Sequence, residues 1–132
     1  MVRNERKGYE QSAELLDHME LLEYWNEKVD DLPYGLQKRV DVARGLATNP
    51  SILLLDEPAA GLPTAEALEM MQNVIEYAKH IGCGVIVIEH NVELVADVCE
   101  RVIVMDAGKI LADGTAQSVM KNEDVIAAYL GT

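Results

Sequence analysis

Apolar positions along this chain follow two rhythms, one helical and one continuous. Over residues 11–24, Leu15, Met19 and Leu22 recur three and four positions apart, which predicts an amphipathic helix. Residues 1–10 are charged and aperiodic and are expected to fray, and "NEKVDDLPYG" reads as a polar connector ending in turn residues. A second helix is predicted over 36–48, with Leu36, Val40, Ala43 and Ala47 on one face and Lys38, Arg39 and Arg44 off it. Asn49 and Pro50 end it, because proline cannot continue the hydrogen-bond ladder.

Residues 52–55, "ILLL", form a continuous apolar run that predicts a buried strand, followed by a Gly/Pro turn. A third helix is predicted over about 64–80, with Leu68, Met71, Ile75 and Ala78 on its apolar face. "IGCG" breaks it, and 85–88 are again continuously apolar and β-branched. Residues 91–99 read as a helix with Val92, Val95, Ala96 and Cys99 inward, and 101–105 as a third strand. "DAGKILADG" reads as a turn, a short strand and a second turn. Two short helices, near 116–120 and 123–130, close the pattern, the latter capped by Asn122. Buried strands alternating with helices predict an α/β fold whose mostly parallel sheet is covered on both faces. Ligands of such sheets gather beyond the carboxyl ends of the strands, where Asp56, Glu57, Glu89 and His90 fall.

Composition narrows the function classes. At 132 residues and 49% hydrophobic content, the chain has the size and apolar fraction of one globular domain. Phenylalanine is absent, so the core must come from Leu, Val, Ile, Ala and Met. A formal charge of −12 argues against a nucleic-acid partner, since nothing concentrates cations against an anionic backbone. Cys83 and Cys99 have neither zinc-like nor disulfide-framework spacing and read as packed thiols. "MVRNERKGYE" lacks the apolar core of a signal peptide, and no apolar run approaches the ~20 residues that span a bilayer. Direct membrane insertion is therefore not expected.

The strand end "LLLDEP" carries the candidate chemistry. An acid beyond a buried strand needs a metal, a cation or a hydrogen-bond network, because an unpaired buried charge costs several kcal/mol. One carboxylate could hold Mg²⁺ while the other takes a proton from water. On its own, "DE" at a strand end also reads as a pair of solvated charges. His90 ends the neighbouring run "VIVIEH", where parallel pairing would bring it near the two acids, whereas His18 and His80 read as surface residues. "LPYGLQKRV" sets a proline, an aromatic and a glycine before a helix, an arrangement that exposes backbone N–H groups at the positive end of a helix dipole.

In order, "LPYGLQKRVDVARGLATNPSILLLDEPAAGL" and "VIVIEH" resemble the signature motif, Walker B strand, D-loop and switch histidine of an ABC-type ATPase. The resemblance spans nearly the whole chain. The signature tyrosine, "DEPAAGL" and the ending "EDVIAAYLG" look most like the branched-chain amino-acid importer branch. The resemblance implies that Asp56 holds Mg²⁺ through its water shell, that Glu57 is the general base for the attacking water, and that His90 contacts the γ-phosphate. Pro33, Tyr34, Gly35, Leu36 and Gln37, with Leu32 before them, would form the signature loop that closes over ATP held by an opposite subunit. Ala59, Ala60, Gly61 and Leu62 would be the D-loop along the dimer seam. Pro33 stands where the broad family has a serine and Leu36 where it has a glutamine.

The phosphate loop of this family, G-x-x-x-x-G-K-[ST], has no counterpart in the sequence. The one Gly–Lys pair, Gly108–Lys109, follows an apolar strand, with Ile103 where the earlier glycine should be and Ile110 next. By resemblance, residues 1–31 are a remnant of the helical subdomain with its connector. Residues 32–132 are the signature helix and the Walker B half of the core of a P-loop NTPase fold lacking its phosphate-loop strand. The resemblance thus implies the C-terminal half of an ATP- and Mg²⁺-using subunit that powers an amino-acid importer and is inactive by itself. Its expected partners are a second copy or second ATPase subunit and the transporter membrane subunits, at the cytoplasmic face of the membrane. A non-enzymatic docking module for a complete ATPase, and a non-transport branch of the family, are the alternatives. The missing strand also leads us to expect that the chain rearranges, self-associates or swaps elements to fill the slot.

Overall fold

Helices α1 (Val2–His18), α2 (Tyr34–Ala47) and α3 (Thr64–Ile81) form one layer over a two-stranded sheet, β1 (Ile52–Asp56) and β2 (Gly84–Ile88), in the computed structural model, which describes residues 2–130. The chain divides between Glu89 and His90 into two compact units. In the first, β1 and β2 run parallel, with Leu53 opposite Val85, Leu54 opposite Ile86 and Asp56 opposite Ile88. Helix α2 packs on β1 and α3 on β2, while α1 lies against both helices. Their common core holds Leu15, Met19, Leu46, Leu53, Val74 and Tyr77. Each fully buried aliphatic or methionine side chain contributes on the order of 1.5–3 kcal/mol.

The helical pattern is met, with shifts that have local causes. Helix α1 starts at Val2 and not at residue 11, so the charged segment is helical and not frayed. Residues 3–14 lie exposed along it, with Arg6 Nε 3.2 Å from Glu10 Oε1 one turn on. The helix stops at His18 because Glu20 takes a left-handed backbone, φ 56°, and Leu22–Tyr24 form a separate 3₁₀ turn. In α2 the buried stripe is Gly35, Arg39, Val42, Ala43 and Leu46, rotated from the predicted one; Ala47 is exposed. Gly82, at φ 71°, ends α3, and the Cys83 N–H returns to the Ala78 carbonyl at 2.8 Å, the usual glycine-capped helix end. His80 lies at the surface, with Nε2 2.7 Å from Glu14 Oε1. His18 is half-buried, edge-on to Tyr77 at 5.2 Å, because α1 and α3 close over it.

The sheet departs from expectation in two ways. Among the described residues β1 and β2 pair only with each other, and one face of the pair is open: Ile52, Leu54, Ile86 and Ile88 are 56–72% exposed. Only Leu53 is buried, with Leu55, Val85 and Val87 half-buried on the opposite face. The third apolar run, β3 (Val102–Asp106), pairs antiparallel with β4 (Lys109–Gly114) in a sheet of its own. That hairpin belongs to the second unit, with α4 (Val92–Val98), α5 (Ala116–Val119), α6 (Glu123–Val125) and a π-helical turn, Ile126–Leu130. Its core joins Val102, Val119 and Val125. Ala107 and Gly108, both at positive φ (47° and 76°), make the tight two-residue turn that hairpin twist favours. Gly108–Lys109 is therefore part of a strand-to-strand turn and cannot cradle a phosphate ahead of a helix. Arg101 clamps Asp113 at 2.7 and 2.8 Å across the two strands, and these bonds hold the Asp113 carboxyl below its usual range. Asn122 caps α6 as predicted, its Oδ1 accepting from the Asp124 and Val125 N–H groups.

Candidate functional site

Strand β1 delivers Asp56 beside Ile88, and the Glu57 N–H donates to the Ile88 carbonyl at 2.8 Å, carrying the pairing one residue past the strand. Glu57 itself sits at φ 47°. A side chain in that left-handed region costs on the order of 1 kcal/mol or more, a strain that concentrates at functional sites. Both acids are exposed at the open end of the sheet, so the burial penalty expected for them does not arise. The reason is the open sheet face: Asp56 shares it with Leu54.

After Glu57 the chain makes two consecutive tight turns, Ala60 N–H to the Glu57 carbonyl at 3.1 Å and Leu62 N–H to that of Ala59 at 3.0 Å. Glu89 anchors them: its Oε1 accepts the Ala59 N–H at 3.0 Å. The sequence put Glu89 at a strand end without a role, and its position as the acid next to Ile88 was the available signal. Pro58 and Ala59 are buried, which fixes the loop root.

The start of α2 meets this loop. Tyr34 Oη donates to the Ala60 carbonyl at 2.9 Å across 26 positions of sequence. Gly61, at φ 80°, passes so close that an added Cβ would lie 3.1 Å from Tyr34 Cε1. Lys38 Nζ stands 5.5 Å from the centre of the Tyr34 ring, one helical turn on. Pro33 occupies the cap position, where it offers no side-chain bond, and its carbonyl takes the Leu36 and Gln37 N–H groups at 3.0 Å. Gln37 Nε2 donates to the Leu32 carbonyl at 2.9 Å, and Leu36 is half-buried against the core. Buried Gly35 lets the Glu66 carboxylate come in: a Cβ there would fall 1.7 Å from Glu66 Oε1. An anion is favoured at that point by the dipole of α2.

The loop contact yields a direct test. Gly61→Ala is expected to destabilise by roughly 1–2 kcal/mol for its left-handed backbone. It should also displace Tyr34, and a urea midpoint together with the Tyr34 ring signals by NMR reads both effects. Tyr34→Phe should lose only the hydrogen bond, about 0.5–1.5 kcal/mol.

The structure thus brings together Asp56, Glu57, Glu89, residues 59–62 and Tyr34 in the first unit. His90 follows Glu89 directly, is exposed, and opens the second unit. No cluster of three or more metal-ligating side chains occurs among the described residues. Magnesium commonly binds through one or two carboxylates and substrate phosphates instead, and the two exposed acids suit that mode.

Two family profiles match the chain. One, described as ABC transporter, covers residues 2–60, and one, described as branched-chain amino acid ATP-binding cassette transporter, covers 109–132. The high-affinity branched-chain amino acid transport ATP-binding protein LivG of Escherichia coli K12 is 39% identical over 129 residues, 98% of this chain and 51% of LivG. Over nearly its whole length the chain is similar to the ATP-binding subunits of ABC transporters. The lipopolysaccharide export system ATP-binding protein LptB of Haemophilus influenzae is 38% identical over 122 residues, 92% of this chain and 50% of LptB. Among solved structures, MJ1267, an ATP-binding cassette of an ABC transporter in its ADP conformation, superposes with a TM-score of 0.83 at 28% identity. That match covers 96% of this chain and 51% of MJ1267. The α/β, partial P-loop NTPase fold predicted from the sequence is that of these ABC ATPases. The chain spans about half the length of the relatives it matches. No helix among the described residues is long and apolar enough to cross a membrane.

Proposed function

We propose that this chain is the catalytic-carboxylate half of an ABC ATP-binding subunit that hydrolyses ATP to drive transport. The observation that carries the reading is the strand end, where Asp56 and Glu57 emerge together and Glu89 and Tyr34 lock the loop after them. Asp56 would hold Mg²⁺ through its water shell, the carboxylate accepting hydrogen bonds from the waters on the ion, and the ion would supply neutralisation of phosphate charge. Glu57 accepts the proton of the attacking water at its carboxylate. His90 contacts the γ-phosphate. Pro33, Tyr34, Gly35, Leu36 and Gln37 close over ATP held by an opposing subunit or second copy, and Ala59 to Leu62 run along the seam between them.

Residues 1–31 then belong to a helical subdomain and 32–132 to the ATPase core. The subunit works at the cytoplasmic face of the membrane on transporter membrane subunits. The profile match over 109–132 favours branched-chain or related amino acids as cargo over lipopolysaccharide. The lack of a G-x-x-x-x-G-K-[ST] loop supports a second reading, in which the chain docks on a complete ATPase without turning over ATP.

A chimera separates the two. With this chain in place of the matched 129 residues of E. coli LivG, Mg²⁺-dependent ATP turnover is expected, and none from the chain alone. A folded chimera that binds ATP without hydrolysing it would reject the ATPase reading. Turnover by the chain alone would reject its assignment as an incomplete half.

A further inference from the structure

Glu57 holds a backbone that its own sequence disfavours. Its φ of 47° lies in the left-handed region, whereas Pro58 after it pushes the preceding residue toward extended geometry. Such a conformation persists only where its surroundings over-determine it. Three hydrogen bonds do so here. The Glu57 N–H donates to the Ile88 carbonyl at 2.8 Å, the Ala60 N–H to the Glu57 carbonyl at 3.1 Å, and the Ala59 N–H to Glu89 Oε1 at 3.0 Å. Two consecutive residues at the end of β2, Ile88 and Glu89, therefore grip the chain at residue 57 and two residues beyond it. The first two bonds run backbone to backbone and survive any change of side chain. The third alone depends on which residue stands at 89.

Ala59 is 8% exposed, so its N–H has little recourse to water, and the half-buried Glu89 gives it a charge-assisted bond, about twice as strong as a neutral one. With the Glu57 N–H fixed on Ile88, any change in φ at residue 57 swings its Cβ and carboxylate together with Pro58 and Ala59. Holding Ala59 therefore holds the aim of the Glu57 side chain. We infer that Glu89 is a positioning residue for Glu57. It fixes the direction of that carboxylate through the Ala59 N–H and itself takes neither the proton nor a phosphate contact. The catalytic consequence rests on the base role proposed for Glu57; the positioning does not.

Three variants separate the bond from the charge. Glu89→Gln keeps an oxygen that accepts the Ala59 N–H and loses the charge; Glu89→Asp keeps the charge and falls one methylene short; Glu89→Ala loses both. In the full chain, NMR is expected to show the Ala59 amide exchanging about tenfold faster in the Asp and Ala variants, with Glu89→Gln close to wild type. The HN–Hα coupling of Glu57 should move toward extended values in the same two. In the chimera with E. coli LivG, those two are expected to lower kcat roughly 10–100-fold with the KM for ATP unchanged, because a misaimed base slows the chemical step without touching the nucleotide. Glu89→Gln should keep most of the turnover. Rescue by Asp and not by Gln overturns the inference, since Glu89 then acts through its charge. Unchanged Ala59 exchange and Glu57 coupling in Glu89→Ala overturn it too, and a loss of ATP affinity matching the loss of kcat replaces it with a general structural role. Absence of turnover in the wild-type chimera rejects the ATPase reading alone; exchange and coupling in the full chain still decide the positioning.

Discussion

Glu57→Gln in the LivG chimera is expected to lower ATP turnover by roughly 10²–10⁴-fold while leaving Mg²⁺-dependent ATP affinity within a few-fold of the parent. The amide is nearly isosteric with the carboxylate and cannot take a proton from water at neutral pH. Backbone geometry should survive, because the substitution leaves in place the bonds from the Glu57 N–H to the Ile88 carbonyl and from the Ala60 N–H to the Glu57 carbonyl. Asp56→Asn should behave differently: it removes the carboxylate charge proposed to hold Mg²⁺ through its water shell, so ATP binding itself weakens along with turnover. Single-turnover assays with labelled ATP, beside equilibrium binding, separate the two. Equal loss of binding in both variants would assign the pair one shared electrostatic role and withdraw the base from Glu57.

That two neighbouring acids could divide metal and base roles follows from the strand end itself; which acid is proposed for which role comes from the resemblance. Local pattern placed β1, α3 and β2 within about a residue, since each is bounded by Pro or Gly and carries an unambiguous apolar run. The same pattern implied a sheet covered on both faces, and there it failed. A run such as "ILLL" records that both faces need cover; it does not record which polypeptide supplies it. The loop contacts were hidden for another reason. Tyr34 and Ala60 meet across 26 positions, and the Glu89 carboxylate reaches a backbone N–H that any residue would offer, so neither bond leaves a compositional trace. The β3–β4 hairpin was half visible: its turn and short strand were read correctly, but antiparallel pairing in a sheet of its own was not. A continuous apolar run does not state its partner.

The charged residue at the centre of the α2 stripe was misread by the same pattern, and it carries the largest expected effect on stability. Arg39 has a side chain only 5% exposed, with Nη1 2.9 Å from Glu20 Oε2, Nη2 3.5 Å from Glu69 Oε1, and a longer bond from Nη1 to the Met19 carbonyl at 3.3 Å. One guanidinium therefore ties the end of α1, the middle of α2 and the first turns of α3. Removing one partner of a fully buried ion pair costs about 3–5 kcal/mol. Here both carboxylates are about half exposed and return to water, so that range is an upper bound. What remains is a carbonyl without its donor and the volume of a buried stem, and Arg39→Ala is expected to destabilise by about 2–3 kcal/mol. Arg39→Met keeps most of the stem and should cost roughly half as much, isolating the polar share. Arg39→Lys should not restore wild-type stability, since a single ammonium cannot reach two carboxylates and a carbonyl in the planar geometry of a guanidinium. Urea midpoints give the order, and hydrogen exchange locates it: faster exchange should appear in α1–α3, with the β3–β4 hairpin unchanged. If Met proves as costly as Ala, the polar ties carry the stability and the stem is dispensable; if Met matches wild type, Arg39 is held there by volume alone.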